Sequence, residues 1–276
     1  MSFGQQCIAL RKKDHSLLEI VKITGRSKSS VYFHIRDLPL SQKRQRLAKK
    51  ISGDHIRRFA IARRGKSVRP FKRFTSWTPE MVLLVSHLMF DGEIQRGVCT
   101  YNNRSLVLIE RVEDLMKNLY TFEPKRVLNI VTGVTRTAYY NVELGTYLKG
   151  KAIELLKDVV TMSRPLQREF LRAFFDDEGC MDFRPTNSKR NVRGYQKNIH
   201  ILKIVQSVLL DFAITSIIHK PNEVVISGKE NLRKFQKEIN FSPGVQINGG
   251  RSNSIWKQPL EKRELLERAI ASYQSR

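Results

Sequence analysis

Two stretches of this 276-residue chain carry the same unusual ending. Residues 78–92 read Thr-Pro-Glu-Met-Val-Leu-Leu-Val-Ser-His-Leu-Met-Phe-Asp-Gly, and residues 165–179 read Pro-Leu-Gln-Arg-Glu-Phe-Leu-Arg-Ala-Phe-Phe-Asp-Asp-Glu-Gly. Each starts beside a proline, which suits a first helical turn. Each runs through mostly apolar residues and ends acid–Gly, at Asp91-Gly92 and Glu178-Gly179, with the glycines 87 positions apart. A spacing that long marks duplication of a whole subdomain and not a short tandem array.

The endings are physically informative. Glycine after the last turn is an ordinary helix C-cap. A carboxylate there is not, because the C-terminus of a helix carries partial negative charge and prefers Lys or Arg. Glu93 and the Asp176-Asp177 pair add to the repulsion. Two such ends suggest a cation shared by the acids and neighbouring oxygens. Ser86 and Ala173 lie five residues before Asp91 and Glu178, so small side chains would let the two helices approach. Parallel packing would then set Asp91 beside Glu178.

The nonapeptides Leu84-Val-Ser-His-Leu-Met-Phe-Asp-Gly92 and Leu171-Arg-Ala-Phe-Phe-Asp-Asp-Glu-Gly179 resemble the two motifs of a single-chain LAGLIDADG homing endonuclease. The second copy is the stronger match; in the first, Met89 replaces a common Asp and His87 a usual apolar residue. The resemblance spans roughly 78–242 and implies an α+β fold, two pseudo-symmetric αββαββα repeats whose sheets form a saddle over DNA. The downstream pattern agrees. In the first copy, strands are expected within 93–101 and at 126–132 and 135–141, with helices at 106–120 and 142–159. In the second, strands are expected at 180–183, 191–196, 214–220 and 223–227, with helices at 199–212 and 229–239.

The resemblance also implies a chemistry. Asp91 and Glu178 would bind Mg²⁺ or Mn²⁺ and hydrolyse one strand each, cutting a long, asymmetric site in double-stranded DNA as a monomer. Gln196 resembles a polar position near the metal waters, and Lys151 a basic position near the scissile phosphates, so both join the catalytic candidates. The counterpart of Gln196 lies within Asn102-Asn103-Arg104, in unfixed register.

The remaining signals concern DNA contact. The chain has 50 Lys+Arg against 26 Asp+Glu, a formal net charge of +24. Residues 1–75 hold 20 of those bases and 4 of the acids. A polyanionic partner follows. Residues 16–24 and 28–36 read as two short helices about a Gly25 turn, the pattern of a helix-turn-helix packed through Val21, Val31 and Ile35. Arg26, Lys28, Ser29, Ser30, Tyr32 and Arg36 would form its nucleic-acid-binding face. In the second repeat a polar loop over 184–193, with Arg184, Asn187, Lys189, Arg190 and Arg193, suits phosphate and base-edge contacts.

The expected organisation is a helix-turn-helix segment over 1–40 and a basic linker arm over 41–75. Repeats follow over 76–162 and 163–242, then an extension over 243–276 whose helix, 259–273, docks on the second repeat without catalytic signature. No 18-residue apolar run exists, so no membrane span is expected. Met1 is not followed by a basic and then apolar leader, and Cys7, Cys99 and Cys180 are odd in number, which together suggest a reducing cytoplasm. Two other activities suit the same saddle: a non-cleaving, sequence-specific transcriptional regulator, and an intron RNA splicing maturase.

Overall fold

The computed structural model describes residues 1–63, 70–247, 249 and 255–273. The chain forms two compact units, Met1–Val68 and Arg69–Arg276.

The first unit is all α. Helices α1 (Phe3–Lys12), α2 (Leu17–Thr24), α3 (Lys28–Ile35) and α4 (Gln42–Arg63) follow one another. Capping boxes start α1 and α2: Ser2 and Ser16 accept from the backbone three residues on, while Gln5 and Glu19 reach back. Gly25 ends α2 at φ 63°, the left-handed conformation that lets α3 turn away at once. Cys7, Ile20, Val31 and Ile35 form the core, with Val21 packed at its edge. The two helices expected at 16–36 are therefore present, and α1 completes a three-helix cluster.

The basic arm expected over 41–75 is corrected by the structure. Residues Gln42–Arg63 form a 22-residue helix, whose described side chains are exposed except for half-buried Arg44. Lys, Arg, Gln, Leu and Ala are strong helix formers, and this propensity outweighs like-charge repulsion between side chains held in water. Asp14 accepts from Ser41 at the start of α4, and Arg44 bonds Glu19. Residues 64–69 of the expected arm lie outside the described residues. At its far end, Phe71 and Phe74 already pack on the second unit, where Tyr147 Oη meets the Phe74 backbone.

The second unit holds both repeats. The first runs α5 (Pro79–Phe90), β1 (Gly92–Ile94), β2 (Cys99–Asn103), α6 (Leu106–Tyr120), β3 (Lys125–Asn129), β4 (Val134–Tyr139) and α7 (Val142–Asp158). The second runs α8 (Arg164–Asp177), β5 (Gly179–Arg184), β6 (Lys189–Tyr195), α9 (Ile199–Asp211), β7 (Ile217–His219), β8 (Glu223–Ser227) and α10 (Lys229–Glu238). Both sheets are antiparallel and share one topology, β1-β2-β4-β3 and β5-β6-β8-β7. This is the expected α+β architecture of two αββαββα repeats. The final helix α11 (Lys262–Ala271) buries Leu265, Leu266 and Ala269 and packs on α10, β5 and β6.

Helices α5 and α8 pack on each other at the centre of a single core. Helix α5 is apolar on nearly every side, burying Met81, Val82, Leu84, Val85 and Leu88, whereas α8 is amphipathic, burying Phe170, Leu171, Phe174 and Phe175 and turning Arg164, Arg168, Glu169 and Arg172 outward. Ser86 and Ala173 are both fully buried, as close approach requires. Gly92 and Gly179 have no substitute: a Cβ would lie 2.5 Å from the Thr100 carbonyl oxygen at the first and 2.4 Å from that of Phe175 at the second. Each glycine turns the chain from the helix straight into a sheet.

Candidate active site

Asp91 and Glu178 are the C-caps of α5 and α8, so the packing of those helices brings the two misplaced acids to one end of the core. Their surroundings are repeated too. The Asp91 carbonyl accepts from Asn102 N at 3.0 Å, and the Glu178 carbonyl accepts from Tyr195 N at 3.0 Å. Gly92 pairs with Tyr101, and Gly179 with Gly194. These two registers fix the correspondence that the sequence left open: Asn103 is the counterpart of Gln196. Asn103 Nδ2 donates to Asp91 Oδ2 at 2.7 Å, and Gln196 Nε2 donates to Glu178 Oε1 at 3.5 Å.

The three consecutive acids ending α8 have separate fates. Asp176 is buried; its oxygens accept from Ser242 N at 2.8 Å and Arg111 Nη1 at 3.1 Å. The Asp177 carboxylate is fully buried and accepts from Tyr101 Oη at 2.6 Å and His87 Nδ1 at 2.9 Å. Since a carboxylate only accepts, His87 carries its proton on Nδ1. His87 is thus a packed helix residue serving its neighbour repeat. Glu178 alone keeps an open coordination sphere, with only the long contact to Gln196. Asp91 is the corresponding acid of the first repeat, with one oxygen held by Asn103.

Burial raises both open acids. The Asp91 carboxyl is pushed up to about 8, first by desolvation and then by the charges of Asp177 and Glu178. Glu178 is pushed up to about 7 by desolvation and by Asp177. One cation opposes this. Lys262, at the first turn of α11, is almost wholly buried, and its Nζ donates to the carbonyl oxygens of Asp176 at 2.6 Å and Phe175 at 3.2 Å. It draws both carboxyls back down. Desolvation holds its own ammonium below the usual lysine range. The C-terminal extension, which carries no catalytic signature in its sequence, therefore inserts a charge under the end of α8.

Lys151 is not brought to the acids. Its ammonium bonds Glu154 Oε1 at 2.7 Å and sits 4.9 Å over the Trp77 ring. The polar loop expected over 184–193 is corrected to a β-hairpin, because residues 189–195 are strand β6 and alternate between core and surface. That alternation divides its candidates. Arg190 points inward, is buried, bonds Ser272 Oγ at 2.6 Å and stacks 4.6 Å from the Tyr273 ring. It anchors the chain after α11 and has no free face for DNA. Arg184 and Arg193 lie outside but pair with Asp182 at 2.8 and 3.0 Å, and Arg193 also bonds Glu223. Lys189 is exposed, and Asn187 lies in the 3₁₀ turn Pro185–Asn187 joining the strands. In the first unit Arg26, Lys28, Ser29, Ser30, Tyr32 and Arg36 are all exposed on and beside α3.

Comparison with known proteins bears on the same region. Residues 165–240, essentially the second repeat, match the LAGLIDADG-like domain family. No curated protein matches the chain. Solved structures of similar fold include mesophilic variants of the homing endonuclease I-DmoI, at 16% identity over 58% of this chain and 95% of that one, with a TM-score of 0.45. I-DmoI in complex with DNA and Mn is similar at 15% identity over 59% of this chain and 98% of that one, TM-score 0.45. Full-length DUF199/WhiA from Thermatoga maritima is similar at 16% identity over 73% and 63% of the respective chains, TM-score 0.49. Residues 165–240 are thus similar to a LAGLIDADG-like domain by sequence, and the first repeat shares the same sheet order.

Proposed function

We propose that the chain is a divalent-metal-dependent DNA endonuclease that cuts both strands of a long, asymmetric site as a monomer. One observation carries the reading. Of the four acids at the ends of α5 and α8, Asp176 and Asp177 each accept two direct hydrogen bonds, while in equivalent places Asp91 accepts one, from Asn103, and Glu178 only the long contact from Gln196. An acid kept desolvated and unsatisfied costs stability and needs a partner.

The donor set fits a hard divalent cation. The two carboxylates are hard oxygen donors of the kind Mg²⁺ and Mn²⁺ take, while Asn103 and Gln196 turn their amide nitrogens to them and spend their oxygens on Ser105 N and Asn198 N. Such an ion, held by Asp91 and Glu178, would supply Lewis acidity for activating water and stabilising charge on the attacking and leaving oxygens. The protein's own part is positional. Asn103 and Gln196 aim the two carboxylates, His87 and Tyr101 keep Asp177 turned away, and Lys262 offsets the negative end of α8. The exposed bases of α3 and α4 add phosphate contacts that carry affinity.

The test uses the purified full-length chain and DNA spanning its own genomic flanks. Cleavage with Mg²⁺ is expected, with Asp91→Asn and Glu178→Gln each abolishing double-strand breaks while binding persists. Site-specific binding with no cleavage in Mg²⁺ or Mn²⁺ would replace this reading with a DNA-binding regulator.

A further inference from the structure

A second polar site lies on the helical side of the same unit. A cavity of about 360 Å³ opens between α5, α6, α8, the segment that follows α10 and the first turn of α11, at the small end of the range for ligand pockets. Three arginines line it, Arg111 from α6, Arg172 from α8 and Arg263 from α11, together with Asn240 and Ser242, and no carboxylate does.

The arginines are incompletely used. Arg111 commits only Nη1, to Asp176 at 3.1 Å and Ser242 Oγ at 2.6 Å. Arg172 commits Nη1 to Glu169 at 2.7 Å, and its other nitrogens reach the Ile239 carbonyl only at 3.4 Å. The Arg263 side chain makes no hydrogen bond or ion pair among the described residues. Asp176 and Glu169 thus answer two of the three cations from behind the wall, and the third charge is unanswered. The Arg111 and Arg172 side chains are 22% and 30% exposed, so water screens them only in part. Forked N–H donors arrayed about one cavity match an oxyanion with several oxygens better than a single carboxylate.

We propose that this cavity binds a phosphoryl oxyanion, at a site distinct from the Asp91–Glu178 pair, with Arg263 supplying the uncommitted charge. The group can come from a small free phosphate compound or from the backbone of a bound nucleic acid. The proposal does not depend on the chain cutting DNA.

The test labels arginines of the full-length chain with phenylglyoxal, in inorganic phosphate or in chloride at matched ionic strength, and reads each site by peptide mass. Phosphate at ten times its dissociation constant should slow modification of Arg263 roughly tenfold. Exposed Arg136 of β4 should be unaffected. In Arg263→Gln the phosphate-induced rise in melting temperature should fall by more than half. Equal Arg263 labelling in both salts, or a full thermal shift in Arg263→Gln, overturns the proposal. Replacing phosphate by a short DNA duplex separates the sources. Protection by duplex, with a salt slope for binding about one unit shallower in Arg263→Gln, assigns the group to nucleic acid; protection by phosphate alone assigns a free ligand.

Discussion

The side-chain amide of Asn103 donates to Asp91 at 2.7 Å, while Gln196, in the matching place of the other repeat, reaches Glu178 only at 3.5 Å. The repeats are equivalent in backbone and unequal in grip. Residues that orient a metal-binding carboxylate are typically worth about 10–100-fold in affinity or activity. Asn103→Ala should therefore cost double-strand cleavage at least about tenfold, and Gln196→Ala less. Conversion of a supercoiled plasmid carrying the site shows this directly, with nicked circles accumulating in Asn103→Ala. Equal losses in the two variants would contradict the inequality.

Asp91 and Glu178 also set how stability depends on pH when no metal is bound. Their folded values, about 8 and about 7, lie above the ordinary values of 3.8 and 4.5. The folded chain therefore binds more protons than the unfolded one between these limits. Stability is full below about pH 4 for these two groups and is lost as pH rises through about 7 to 8. The loss is on the order of a few kcal/mol. Urea unfolding followed through Trp77 and Trp256 should show a midpoint falling from pH 5 to pH 8. The paired substitution Asp91→Asn, Glu178→Gln should flatten that fall. A midpoint independent of pH in the unsubstituted chain would refute the raised values.

Lys262 is a buried charge whose partners are backbone oxygens at the end of α8. Removing one side of a buried charged contact costs about 3–5 kcal/mol, because the other side is left without a partner. Lys262→Met should destabilise the second unit by that order, by denaturant unfolding. Leu260→Ala, on a half-buried side chain nearby, should cost less. A change below about 1 kcal/mol for Lys262→Met would mean the carbonyls find other donors.

Much of this arrangement is legible in the sequence, because it rests on local rules. An apolar run with a carboxylate and glycine at its end breaks the charge preference of a helix terminus, and it does so twice. The strand and helix order follows from periodicity and turns. What escapes depends on contacts between distant segments. The register that pairs Asn103 with Gln196 is fixed by backbone bonds to Asp91 and Glu178, which no linear spacing reveals. Arg190 and Lys189 have like composition and opposite faces, so only the strand separates them. Helix α4 is a charge run, read as a repelling arm, yet built from good helix formers. Lys262 did leave a signal: a lysine in the first helical turn is as misplaced as an acid in the last. The misplaced lysine of α11 meets the misplaced acids of α8.

The same alternation in β6 gives two neighbouring substitutions opposite consequences. Arg190 bonds the hydroxyl and carbonyl of Ser272 and stacks on Tyr273, so it fastens the end of the chain to the second sheet. Hydrogen bonds to a charged group contribute about 1.5–3 kcal/mol each. Arg190→Ala should lower unfolding stability by about that amount and leave the salt dependence of DNA binding unchanged, because the side chain never faced outward. Lys189 is exposed on the outer face, so Lys189→Ala should change stability by less than about 0.5 kcal/mol. If that face lies along DNA, the slope of log affinity against log salt should become shallower by about 0.9, the counterion share of one phosphate contact. Denaturant curves and fluorescence-anisotropy titrations at several salt concentrations read both quantities. A shallower slope for Arg190→Ala with Lys189→Ala unchanged would place the opposite face of the strand against the nucleic acid.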